Sequence, residues 1–128
     1  MEESHTGVYR EYYHDGEIKS EVFMLNGIKN GIERSYRKSG QLYYESNYID
    51  GKENGIKKAY WISGHLYSEA NYIDGKLNGP YKIYWKSGQL NYEVVYSNGN
   101  KHGIEKLYLE SGKFDYEIVY LNGVAQTQ

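Results

Sequence analysis

The hexapeptide NYIDGK stands at Asn47–Lys52 and again, unchanged, at Asn71–Lys76, 24 residues later. Laid out with that period, the chain puts Gly7, Gly31, Gly55, Gly79 and Gly103 in one column. Gly16, Gly40, Gly64, Gly88 and Gly112 form a second, and Gly27, Gly51, Gly75, Gly99 and Gly123 a third. These columns hold all 15 glycines, so the chain is five repeats without insertion or deletion. Tyr12, Tyr36, Tyr60, Tyr84 and Tyr108 share a column, as do Glu21, Glu45, Glu69, Glu93 and Glu117. A further column is basic throughout: Arg10, Arg34, Lys58, Lys82 and Lys106. A fixed period of this length marks supersecondary units that bury one another's faces by stacking.

Each unit reads as β. The third glycine always follows Asn or Asp, and Asn-Gly and Asp-Gly are the strongest short hairpin signals because both turn positions require positive φ. The second glycine follows Ser in four repeats and Asp15 in the first, a second turn signal. Between the turns lie alternating Tyr-rich runs such as QLYYESNYI (41–49), with no capped helical period. The first glycine column falls inside strands, where glycine marks a bulge, a bend or a close backbone approach. The expected fold is all-β: an elongated antiparallel meander of stacked β-hairpins, about ten strands across roughly 48 Å. The repeat domain spans 7–124, with units 7–30, 31–54, 55–78, 79–102 and 103–124 and tails at 1–6 and 125–128.

The Ser-Gly turn sets the register. A two-residue loop places the basic column opposite the Glu column, pairing Arg10 with Glu21 and so on to Lys106 with Glu117. A three-residue loop with the glycine in a bulge would set Glu33 against Glu45 and Glu105 against Glu117. Like charges opposite one another are unfavourable, so the first register is expected.

Aromatic residues make up 16% of the chain and 17 of them are tyrosine, so the expected core is a thin, partly wetted layer that leaves hydroxyls near water or partners. A net charge of −2 gives no electrostatic reason to expect nucleic acid or an anionic membrane as partner. There is no cysteine, hence no disulfide and no thiolate metal site. No apolar run approaches a membrane span, and MEESHTG lacks the features of a signal peptide. A cytoplasmic location is the expectation, with a surface or secreted one open if a leader has been removed.

The recurring pattern, an aromatic residue followed by Gly after two residues and a second Gly after three more (Tyr48, Gly51, Gly55; Tyr72, Gly75, Gly79), resembles MORN repeats, and specifically their bacterial variant. The resemblance covers essentially residues 7–124. The standard unit is shorter by one residue and carries another Gly two places after the in-strand one, where this chain has Glu33, Lys57, Tyr81 and Glu105. That departure weakens any lipid-related role borrowed from eukaryotic MORN proteins. The resemblance implies stacked hairpins, protein association, and a likeness to variant-repeat antitoxins of the YwqK type; it supplies no catalytic residue.

The residues themselves point the same way. His5, His14, His65 and His102 do not converge as metal ligands would, and the serines are ordinary turn residues. Five equivalent glutamates argue for structure, because a catalyst needs asymmetry. No enzyme, cofactor or metal is expected. The variable slot six residues after the first glycine holds Tyr13, Arg37, Trp61, Trp85 and Leu109. Trp, Tyr and Arg are the residues enriched at interface hot spots, so Trp61, Trp85, Tyr13 and Arg37 are the expected partner-binding residues, with Tyr9 and Tyr81 in a neighbouring variable slot. The apolar last strand, Phe114–Leu121, offers an edge for strand addition by another copy or a partner. The expected function is protein binding, in the form of an antitoxin or immunity protein neutralising a cognate toxin. A self-assembling or membrane-associated scaffold and a carbohydrate-binding surface module are the alternatives.

Overall fold

The computed structural model describes residues 5–126; the outermost residues of the two expected tails, 1–4 and 127–128, lie outside the described residues. In chain order the strands are β1 (Gly7–Tyr12), β2 (Ile18–Leu25), β3 (Ile28–Tyr36), β4 (Leu42–Ile49), β5 (Lys52–Glu53), β6 (Gly55–Tyr60), β7 (Leu66–Ile73), β8 (Lys76–Leu77), β9 (Gly79–Tyr84), β10 (Leu90–Ser97), β11 (Asn100–Lys101), β12 (Gly103–Tyr108), β13 (Phe114–Leu121) and β14 (Val124–Gln126). They form one open antiparallel sheet in sequential order, and no helix occurs among the described residues. Ten strands are long; β5, β8 and β11 are the lead-in pieces of strands that the in-strand glycine interrupts.

The Asn-Gly and Asp-Gly turns are two-residue loops with both central residues at positive φ, as at Asn26 (52°) and Gly27 (79°). They also tie the repeats together. The turn glycine's N–H donates to a carbonyl of the preceding repeat, as Gly51 does to Lys29 and Gly75 to Glu53, both at 2.8 Å. The residue before it is held by a side chain 20 positions earlier: Asn30, Asn54 and Asn78 accept from the N–H groups of Asp50, Asp74 and Asn98. His102 fills that place at the last turn, its Nδ1 accepting from the N–H of Asn122 at 3.3 Å.

At the first glycine column the strand bulges. Met24 faces Lys29 and Val22 faces Glu33, leaving Phe23 alone opposite 30–32. A Cβ on Gly31 would lie 3.3 Å from that of Phe23, and one on Gly79 would lie 3.2 Å from that of Asn71.

The Ser-Gly hairpin corrects one expectation and bears out another. The loop has three residues: the Gly16 N–H donates to the Tyr13 carbonyl and the Tyr13 N–H to the Glu17 carbonyl, at 2.9 and 2.7 Å. That loop alone would give the rejected register. A second offset cancels it, since Tyr12 faces Ile18 but Glu11 faces Ser20, leaving Lys19 as the extra residue. Beyond it Arg10 faces Glu21, as Arg34 faces Glu45, Lys58 faces Glu69, Lys82 faces Glu93 and Lys106 faces Glu117. Tyr43, Tyr67, Asn91 and Asp115 are the extra residues of the other repeats.

The two faces of the sheet differ. One carries the basic–Glu ladder and leaves Ile32, Ile56 and Ile104 about half exposed (48%, 49% and 44%). The other buries Val22, Ala70 and Val94 under rows of half-exposed tyrosine, so the core is the thin layer that tyrosine composition predicts. In the invariant tyrosine column Tyr36, Tyr60, Tyr84 and Tyr108 are half-buried and Tyr12 is 56% exposed. Tyr36 and Tyr84 donate their hydroxyls to Glu21 and Glu69 of the preceding repeats, at 3.0 and 2.7 Å.

Glu33 and Glu105 are buried on the packed face. Each accepts an ammonium from four residues earlier across the glycine bulge: Lys29 at 2.6 Å and Lys101 at 2.5 Å. A tyrosine hydroxyl also donates to each, from Tyr44 and Tyr92. In the third repeat the pair is reversed, Glu53 with Lys57 at 3.8 Å, and in the fourth it is the apolar Leu77 and Tyr81. Burial alone would raise the Glu105 pKa, but its hydrogen bonds from Lys101 and Tyr92 outweigh that and hold it below the ordinary value. Burial, then the Glu33 charge and hydrogen bond, push the Tyr44 hydroxyl up to about 12.

Candidate functional site

Tyr13, Arg37, Trp61 and Trp85 form one column at the Ser-Gly end of the sheet, and each bridges to the next repeat. The Tyr13 hydroxyl donates to the Tyr36 carbonyl at 2.6 Å, and Arg37 Nη2 to the Tyr60 carbonyl at 2.8 Å. The Trp61 and Trp85 indole N–H groups donate to the carbonyls of Tyr84 and Tyr108, at 3.2 and 3.3 Å. These are staples between hairpins, so part of what selects the residue type at this slot is stacking. Leu109 has no polar atom to continue the series.

Two of the four do something further. Arg37 and Trp61 line a hollow of about 640 Å³ together with Tyr43, Ala59, Tyr67 and Lys86. It exists because of local residue choices. Ala59 forms its floor where the other repeats carry Glu11, Ser35, Ile83 and Leu107. The extra residue of the hairpin is a tyrosine in the second and third repeats, and these two, Tyr43 and Tyr67, form the walls. Trp61 and Tyr67 pack edge to face with ring centres 4.6 Å apart. His65 Nδ1 lies 2.8 Å from the Lys86 carbonyl and ties the rim to the next hairpin.

The charges of the hollow are all of one sign. The Arg37 guanidinium lies 4.6 Å from the centre of the Tyr43 ring, and the Lys86 ammonium 5.4 Å from that of Trp61. No Asp or Glu lines the hollow, and no carboxylate among the described residues forms an ion pair with either cation. Arg37 Nε is buried without a hydrogen-bond partner.

Tyr13, Trp85, Tyr9 and Tyr81 do not line the hollow. Tyr9 pairs opposite Val22 in the first hairpin, and Tyr81 packs edge to face with Tyr92 and Tyr96 at 6.3 and 6.0 Å. Tyr43, Tyr67 and Lys86 are absent from the residues that the sequence singled out. Their signal was present, two tyrosines at equivalent positions beside a small residue, but only the compensating bulge makes those positions face the hollow. The described residues contain no group of three or more His, Asp or Glu arranged to hold a metal ion. The edge at Phe114–Leu121 is partly covered: β14 pairs with Val119, Tyr120 and Leu121.

A family model described as MORN repeat variant matches residues 6–26, 29–50, 77–98 and 101–122, well over half of the chain. Residues 51–76, which supply Ala59, Trp61 and Tyr67 to the hollow, lie outside the matched units. No curated protein matches the chain. Among solved structures it is similar to a chain of "Crystal structure of GtfA/B complex bound to UDP and GlcNAc", at 15% identity and a TM-score of 0.38. That match covers 95% of this chain but only 24% of the other.

Proposed function

The chain belongs to the MORN repeat variant family, whose repeat modules often mediate protein or membrane interactions, and from that premise we propose that it is a non-catalytic protein-binding module gripping its partner at the Arg37–Trp61 hollow. The observation that carries this reading is the hollow itself: aromatic walls, a small-residue floor and two cations, mounted on a hydrogen-bonded sheet that pre-organises them. Rigid presentation of aromatic and Arg side chains is the usual make-up of an interface hot spot. Neutralisation of the partner by occupying its surface, in the manner of an antitoxin or immunity protein, is the specific form that the resemblance to bacterial variant-repeat proteins favours.

The test is capture of a stoichiometric partner from lysate by the tagged protein, compared with Tyr67→Ala and Lys86→Gln. Neither side chain is an inter-repeat staple, so folding should survive both. Loss of about 2 kcal/mol of binding in Tyr67→Ala, with an unchanged circular dichroism spectrum, is the expected result. Undiminished capture by both variants would place the partner elsewhere.

Self-association through the last edge is a second reading. Phe114 and Tyr116 are 52% and 39% exposed, and Phe114 to Ile118 has no outer strand among the described residues. A mass that rises with concentration in sedimentation, and falls back on Tyr116→Lys, would support it.

A further inference from the structure

Arg37 and Lys86 differ in their surroundings from the cations of the ion pairs. Lys29, Lys57 and Lys101 meet glutamates on the packed face, and Arg10 and Arg34 meet glutamates on the other. Lys29, Lys57 and Lys101 also lie over tyrosine rings, but Arg37 and Lys86 do so without a carboxylate partner among the described residues, at the rim of one hollow that contains no acid. One Arg37 nitrogen is taken by the Tyr60 carbonyl; Nε is buried and unbonded, and Nη1 makes no hydrogen bond among the described residues.

Between the two cations lie Tyr43, Trp61 and Tyr67 over Ala59, an apolar recess in a chain whose net charge is −2. A local positive, aromatic site without an acid of its own selects by charge as well as by shape, since a carboxylate there meets two cations and no competing carboxylate. Building on the protein-binding reading, we infer that the hollow takes an acidic segment of a partner protein, in which an aliphatic or aromatic side chain fills the recess and a flanking Asp or Glu carboxylate meets Arg37 and Lys86. The carboxylate balances the two cations at the rim. The apolar side chain covers Trp61 and Tyr67 and excludes water from the charge pair, which strengthens it.

The experiment is a synthetic peptide array with one central Phe, Leu, Tyr or Ala and flanks of Asp/Glu, Asn/Gln or Lys/Arg, followed by calorimetric titration of the best binders. Acidic flanks around an apolar centre should bind best. Exchange of the flanking carboxylates for amides should weaken binding about tenfold, the factor that corresponds to one modest charge-assisted hydrogen bond. Lys86→Gln should lose several-fold while retaining the fold, and raised salt should weaken the acidic peptides alone. Equal binding of acidic and amide peptides, preference for basic flanks, or an array without binders would overturn the inference. If a captured partner still depended on Tyr67 in that case, the hollow would remain the docking site with a different ligand, such as an oligosaccharide. If Tyr67→Ala left capture untouched as well, the docking reading would fall with it.

Discussion

Glu105→Gln is the substitution whose cost the structure fixes most closely. Glu105 is 4% exposed, accepts from Lys101 at 2.5 Å and from the Tyr92 hydroxyl, and lies within β12 on the packed face. Removing one partner of a buried ion pair costs about 3–5 kcal/mol because the other charge is stranded. Two features reduce that here. The Lys101 side chain is 31% exposed and reaches water, and the glutamine oxygen still accepts one of the two hydrogen bonds. The expected loss is therefore about 2–3 kcal/mol. Glu45→Gln is the internal control: its pair with Arg34 is 42% and 31% exposed, so its loss should be under about 1 kcal/mol. Reversal of the pair, Lys101→Glu with Glu105→Lys, reproduces the polarity of Glu53 and Lys57 and should recover part of the loss. Recovery stays incomplete because Ser46, which donates to Glu53 at 2.9 Å, has Val94 as its counterpart two repeats on. Urea unfolding followed by circular dichroism measures all three, provided the slope is unchanged. Equal losses for Glu105→Gln and Glu45→Gln would refute the assignment of Glu105 as a buried structural charge.

Four further outcomes follow from the same geometry. Gly79→Ala combines a φ of 113° with a Cβ 3.2 Å from Asn71, so it should cost about 1–3 kcal/mol and more than Gly64→Ala, where φ is 92° and nothing lies within 4 Å; paired urea titrations decide. Asn54→Ala removes the acceptor of the Asp74 N–H and should cost about 0.5–1.5 kcal/mol, seen also as faster hydrogen exchange at Asp74. On the pH axis, Tyr44, Tyr48 and Tyr84 are pushed from 10 to about 12, chiefly by burial, so the folded state resists their ionisation; their stabilisation is full below pH 10 and should be lost between 10 and 12, with tyrosinate absorbance rising alongside unfolding. Glu105 acts at the other end: its lowered pKa contributes stability above the ordinary carboxylate value of 4.5, lost as pH falls below it, and Glu105→Gln should flatten that acid limb.

The architecture was legible because its determinants are local and repeated. Asn-Gly and Asp-Gly turns, alternating tyrosines and in-strand glycines each state a backbone requirement, and the 24-residue period repeats it five times. The basic–Glu register was also readable, from charge pairing alone. The Ser-Gly loop was not, because two opposite offsets leave the far register unchanged and only the near one reveals them. That hidden bulge turns Tyr43 and Tyr67 into walls, and so concealed half of the hollow. The Lys29–Glu33, Glu53–Lys57 and Lys101–Glu105 series sits openly in the sequence, yet reads as a contact only once the glycine bulge brings residues four apart onto one face. Trp61, Trp85, Tyr13 and Arg37 were recognisable as a special slot, whereas their bonds to carbonyls 23 residues ahead depend on stacking that composition does not state.

The most direct test of the hollow as docking site is to record amide NMR spectra of the labelled protein with and without its captured partner. Perturbations centred on Arg37, Tyr43, Trp61, His65, Tyr67 and Lys86 are the predicted result. Perturbations centred instead on Ile32, Ile56 and Ile104 of the opposite face, or on the Phe114–Ile118 edge, would contradict it.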